Sequence, residues 1–117
     1  MKVLIAGSRS IKEFNLEKHI PTQTKLIISG GASGIDTLAE KYADKHRISK
    51  LILRPQYGEF GKAAPLKRNE IMVDLADLVI IVWDGNSKGA KFTKEYAEKK
   101  NKPLIFLSID SSEIEKK

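Results

Sequence analysis

Ser29-Gly-Gly-Ala-Ser-Gly-Ile-Asp36 follows an apolar run, Lys25-Leu-Ile-Ile28, and precedes a long helical pattern, so it reads as the turn from a buried strand into a helix. Gly30, Gly31 and Gly34 are able to take the positive φ values of a tight turn, and without a Cβ they admit a ligand close to the backbone. The helix that follows offers unpaired N–H groups and the positive end of its dipole. Such a density of glycine exceeds what a turn alone requires, so Ser29 to Gly34, with Ala32 between the glycines, is expected to cradle a phosphate or another anionic group. The competing reading is that the glycines merely turn the chain.

Working outward, residues 3–6, 26–28, 51–53, 78–83 and 104–107 form near-continuous Val/Ile/Leu runs, the pattern of parallel strands covered on both faces. Helical patterns lie between them. Ile35, Leu38, Ala39, Tyr42, Ala43 and His46 recur at three and four residues; Leu66, Met72, Leu75 and Ala76 repeat this more weakly. Residues 90–100 read as a charged surface helix, and 16–20 as a short one stopped by Pro21. The alternation predicts an α/β fold: a three-layer, Rossmann-like, doubly wound parallel sheet of five strands in the order 3-2-1-4-5. In that order the turns Gly7-Ser8-Arg9, 29–34 and Asp84-Gly85-Asn-Ser87-Lys-Gly89 share one rim, where such folds bind their ligands.

The chain has 117 residues, enough for a single core, and is expected to form one domain over residues 1–110 followed by a charged tail, 111–117. With no cysteine there is no thiolate nucleophile or disulfide framework. His19 and His46 sit in charged stretches without metal-ligand spacing, so both are expected to be solvated helix residues and no metal site is expected. No run approaches a membrane span or a signal peptide's apolar region, which points to a cytoplasmic protein without a membrane partner. A formal charge of +6 favours anionic partners, but it is spread along the helices as solvated lysines.

Gly7-Ser-Arg9, Ser29 to Asp36, Lys67-Arg-Asn-Glu-Ile-Met72 and Asp84 to Gly89 occur in an order that resembles the SLOG superfamily of Rossmann-like domains. The likeness runs from Met1 to about Ile109 and is strongest to the small stand-alone branch related to YspA and YpsA. The superfamily includes the lonely-guy phosphoribohydrolases and the Rossmann-like domain of the DNA-processing protein DprA. The resemblance implies a nucleotide or nucleotide derivative as ligand, with the turns after strands two and four holding phosphate or ribose. In the phosphoribohydrolases an Arg on the helix before strand four, and a Glu just after a Gly-Gly-x-Gly-Thr turn, do the chemistry. Arg68 matches the first. At the second, Lys88-Gly-Ala-Lys-Phe-Thr93 has Ala90 where Thr is usual and Phe92 and Thr93 in place of the acidic pair. Glu95 follows about half a helical turn later, so hydrolysis is expected at no more than a trace rate.

Each candidate has a plainer reading beside it. Ser33 and Asp36 have the spacing of a helix capping box, and Asp36 is equally suited to a ribose hydroxyl. Arg9 suits bidentate phosphate contact, or a surface ion pair. Arg68 and Asn69 open a helix behind Pro65, where a guanidinium clamps phosphate or ribose and an amide meets a base or sugar edge; absent the resemblance both are ordinary helix residues. The irregular stretch 55–65 is a candidate lid, with Tyr57 or Phe60 stacking on a base, or a loop pinned to the core by those aromatics. Trp83 is expected to pack beneath the helices. Asp84 suits a sugar hydroxyl or a metal-bound phosphate, or simply starts its turn, and Ser87 and Gly89 suit a second phosphate loop, with Ser87 alternatively an N-cap.

The function expected is a sensor or carrier that binds a nucleotide-derived small molecule, dinucleotide or ADP-ribose-like, with no certain cofactor and self-association left open. The alternatives are a nucleoside-monophosphate N-glycosidase, drawing its acid or nucleophile from Asp36, Asp84, Glu70 or Glu95, and a single-stranded nucleic-acid binder by likeness to DprA.

Overall fold

The structure, a computed structural model, describes residues 1–109, so the expected tail lies outside the described residues. Five strands, β1 (Lys2–Gly7), β2 (Leu26–Ser29), β3 (Ser49–Ile52), β4 (Leu78–Trp83) and β5 (Leu104–Ser108), form one parallel sheet in the order β3-β2-β1-β4-β5. The helices are α1 (Ile35–Lys45), the single turn α2 (Tyr57–Phe60), α3 (Ala64–Leu75) and α4 (Lys88–Lys99). This is the expected Rossmann-like α/β arrangement.

Both faces of the central strands are buried because their side chains alternate between two cores. Val3, Ile5, Ile27, Ile80 and Val82 meet Ile35, Ala39 and Ala43 of α1, together with Ile11, Leu16 and Ile20 from the β1–β2 connection. Leu4, Ile28, Val79 and Ile81 meet Met72, Val73 and Ala76 at the end of α3, and Ala90 and Ala97 of α4. At β1 the approach of α1 is so close that a Cβ on Gly7 would strike the Val82 carbonyl and the Ile35 side chain, so packing alone demands glycine there.

The edges depart from the sequence reading. β3 begins two residues early and leaves Ser49, Lys50 and Leu51 exposed, and β5 is only half-buried. Each pairs with a single neighbour, and the helices stack over the centre of the sheet; the charged Lys50 on an edge discourages further pairing. Leu66 and Leu75, read as core, are exposed, because α3 faces the sheet through Met72 and Val73 instead. The stretch 55–65 folds into α2 and a 3₁₀ turn, Gly61–Ala63, that lead into α3 with Pro65 in its first turn, while Tyr57 projects into solvent.

The short helix near residue 16 is a 3₁₀ turn, Leu16–Lys18. Neither histidine is simply solvated. His46 Nε2 lies 3.0 Å from Glu17 Oε1 and its ring packs on Tyr42, while His19 stacks on Phe14. The Glu17 contacts with His46 and Lys45 fasten the β1–β2 connection to the end of α1, while the His19–Phe14 stack lies within that connection. Among the described residues no helix is long and apolar enough to cross a membrane.

Candidate functional site

The rim is assembled by Ser8, a buried residue just beyond β1. Its N–H donates to the Val82 carbonyl (3.0 Å), its carbonyl accepts from Ile35 N–H (3.4 Å), and its hydroxyl accepts from Asp84 N–H (3.0 Å). One residue thereby ties the β1 turn to the β4 turn and to the start of α1. Gly34 completes the junction: at φ 74° it sits against the backbone of Ser8 and Arg9, where any Cβ would collide.

The glycine turn after β2 is held from both sides. Gly31, at φ 73°, donates its N–H to Ser29 Oγ (3.3 Å), and Ala32 N–H is taken by Asp36 Oδ2 (3.1 Å). Arg54 Nη1 donates to the Gly31 carbonyl (2.9 Å), while Arg68 Nη1 donates to the carbonyls of Gly30 (2.8 Å) and Leu53 (3.1 Å). The capping box is not formed. Gly34 is the N-cap, without a side-chain bond, and Ser33 is exposed; the positive φ at Gly34 starts the helix one residue late and turns Asp36 back on Ala32.

The β4 turn follows the same logic. Asp84 Oδ1 accepts from the N–H groups of Asn86 (2.8 Å) and Ser87 (2.9 Å), and Oδ2 from the Ser10 hydroxyl (2.6 Å). Desolvation raises the pKa of this carboxyl, but the hydrogen bonds from Ser10, Asn86, Ser87 and Ser8 outweigh it and hold the group down at about 2. Ser87 Oγ caps α4 through Ala90 N–H (3.2 Å), and Trp83, packed on Phe106, donates Nε1–H to the Ser87 carbonyl. Both turns read as phosphate loops therefore carry a carboxylate of their own on backbone N–H groups.

Between these turns and α3 lies a cavity of about 430 Å³. Of the residues singled out in the sequence, Gly7, Arg9, Ala32, Asp36, Arg68, Asn69, Asp84, Ser87 and Gly89 line it. Ser8, Ser29, Gly30, Gly31, Gly34 and Gly85 do not; all but Gly85, at φ 89°, hold or shape the walls through the contacts above. Glu95 and Glu70 are also absent from the lining, and Phe92 stacks on Tyr96 along α4. The sequence reading missed Ser10, Asn86, Leu66, Met72 and Thr93. Met72 was accessible to it, since it lies four residues from Arg68 and so on the same helix face. Thr93, whose hydroxyl donates to the Gly89 carbonyl (2.8 Å), was marked only by the resemblance, as a residue standing in place of the family's acidic pair.

Charge is distributed unevenly around this cavity. Burial lowers the pKa of Arg68, Asp36 opposes that, and Arg9 and Arg54 add to it by repulsion. Arg9 is exposed and makes no hydrogen bond or ion pair among the described residues. For Asp36, desolvation raises the pKa and prevails over the Ala32 N–H and the Arg68 charge. A carboxyl whose folded pKa is raised contributes stability below its unfolded pKa and loses it as pH rises through the folded value. Asp36→Asn is therefore expected to melt at a higher temperature than the natural chain at pH 7, with the advantage vanishing near pH 4 or below, roughly the ordinary Asp pKa. A thermal denaturation series across that pH range checks it.

No family model and no solved structure matches this chain. Among curated proteins it is similar to the uncharacterized SPbeta prophage-derived protein YoqJ of Bacillus subtilis (strain 168), 36% identical over 56 residues. The aligned stretch spans 48% of this chain and 30% of that relative.

Proposed function

We propose that this domain binds a nucleotide-derived small molecule, as a sensor or carrier, in the cavity at the carboxyl ends of the central strands. The observation that carries the reading is the cavity's position and lining: about 430 Å³ beside β1 and β4, bounded by the unpaired guanidinium of Arg9, the amide of Asn69 and the carboxyls of Asp36 and Asp84. Neighbouring β1 and β4 are where the strand order reverses, the place at which open α/β sheets take ligands. The volume falls within the range of small-molecule sites, about 300–1,000 Å³. Arg9 supplies the cation for phosphate, and the carboxyls suit ribose hydroxyls. The reading agrees with the SLOG resemblance. Isothermal titration with AMP, ADP-ribose and NAD tests it: saturable one-site binding of at least one is expected, and heat of dilution alone for all three contradicts it.

One observation favours the N-glycosidase as a second reading. Asp36 and Asp84 line the same cavity with pKa values pushed in opposite directions, the division of roles that acid–base hydrolysis uses. Against it, the positions matching the acidic pair of the phosphoribohydrolases hold Phe92 and Thr93, neither of which carries charge toward a ribosyl cation. Without that electrostatic help the rate falls on the order of a hundredfold or more. Free base released from AMP is thus expected at only a trace rate; sustained release that disappears in Asp36→Asn would establish the second reading.

A further inference from the structure

We propose that Asn69 is a specificity-determining residue that offers the cavity hydrogen-bond donors only, so the bound molecule must meet it with an acceptor: a phosphoryl or carbonyl oxygen, or a ring nitrogen. The proposal rests on the reading that the cavity holds a nucleotide-derived ligand.

Arg68 fixes the orientation of the Asn69 amide. Its Nε–H donates to the Asn69 side chain at 2.7 Å. A guanidinium has donors and no acceptor, so the atom facing it is Oδ1, and the amide orientation follows from chemistry. Arg68 cannot swing away to relax that choice, because its Nη1 is fastened to the carbonyls of Gly30 and Leu53. Turning the amide over would set N–H against N–H in a half-buried place and leave both donors without an acceptor.

The other end of the amide, Nδ2 with its two hydrogens, makes no hydrogen bond to any described residue. Nor is it sealed in the interior, since no buried side-chain nitrogen or oxygen among the described residues lacks a partner. Asn69 lines the cavity, and its accessible donor end is available to a molecule bound there. Asp36 and Asp84, the carboxyls of the lining, act as acceptors when ionised. The lining thereby offers two kinds of group: carboxyls that suit the hydroxyls of a ligand, and Asn69 and Arg9 that suit its acceptors.

Asn69→Asp separates this role from a merely structural one. The carboxylate keeps an oxygen for Arg68 Nε–H, while the cavity-facing donor becomes a negatively charged acceptor. Titration with AMP and ADP-ribose is expected to show affinity reduced about a hundredfold, with the melting temperature held or raised, since an acceptor of the ligand would then face a negatively charged acceptor with no donor between them. Asn69→Ala removes both ends and is expected to lose affinity about tenfold and to melt lower. Independently of how the variants fold, the Nδ2 proton resonances of Asn69 in the natural chain must shift when AMP or ADP-ribose is added to saturation. Equal affinity in the natural chain and Asn69→Asp, or unmoved Nδ2 resonances at saturation, overturns the assignment of Asn69 while the proposed function stands. If the natural chain binds none of AMP, ADP-ribose and NAD, both fall together; if it binds NAD alone, the same variants and resonances are read with NAD.

Discussion

Gly34→Val is expected to lower the urea midpoint of the chain steeply, among the most damaging single substitutions in the domain. Two penalties coincide at this residue. Its φ of 74° with ψ of −127° lies outside even the left-handed helical region and is disfavoured for any L side chain, most of all a β-branched one, costing about 1–3 kcal/mol. The added Cβ would also strike the Ser8 carbonyl and the Arg9 backbone, and backbone atoms cannot rotate aside as a side-chain tip can. Overpacking of that kind costs about 1–3 kcal/mol or more, and here it pries apart the Ser8 junction that joins three turns. Together these come to about 2–6 kcal/mol, a large share of the stability of a small domain, about 5–15 kcal/mol, and enough to unfold one at the low end of that range. Urea denaturation followed by circular dichroism checks it; a midpoint close to that of the natural chain would show that the turns are not locked as described.

Arg68→Ala is expected to lower stability by about 2–3 kcal/mol before any effect on ligand is considered, the loss of several charge-assisted bonds at a half-buried site. For a domain of this size that is a fall in melting temperature on the order of 10 °C. In the sequence Arg68 is a ligand clamp, and its Nη2 remains available for that role, but Nε and Nη1 are engaged with Asn69, Gly30 and Leu53. Its main contribution is to hold the glycine turn and the amide of Asn69 in place. Arg68→Lys should restore little, because a single ammonium cannot reproduce the fork that spans those partners. Thermal denaturation of both variants without added nucleotide decides the point, and an unchanged melting temperature in Arg68→Ala would return the residue to the ligand.

The central strands were legible because burial on both faces leaves an uninterrupted aliphatic run, as at Leu78 to Trp83. β3 was found but set two residues late and read as covered, since an edge strand has its sequence shaped by what fails to cover it. The face of α3 was obscure for a related reason: Leu66, Ile71 and Leu75 are as apolar as Met72 and Val73, and only the docked helix distinguishes the exposed set from the buried one. Glycine density marked where the turns lie, yet it could not tell which partners their polar groups would take. Arg54 and Arg68 reach Gly31 and Gly30 from 23 and 38 residues away, and Asp36 returns to its own turn only because Gly34 delays the helix. The glycines of the β2 turn answer first to packing, with the ligand, in this account, in the space that packing leaves.

That account is tested most directly by mapping nitrogen–proton shifts of the isotope-labelled chain during titration with AMP and ADP-ribose. It predicts saturable shifts gathered at the backbone of Gly7, Arg9, Ala32, Asp36 and Gly89 and at the Asn69 amide. A spectrum unchanged at millimolar nucleotide, or shifts confined to the exposed lysines of α4 such as Lys91 and Lys99, would contradict it.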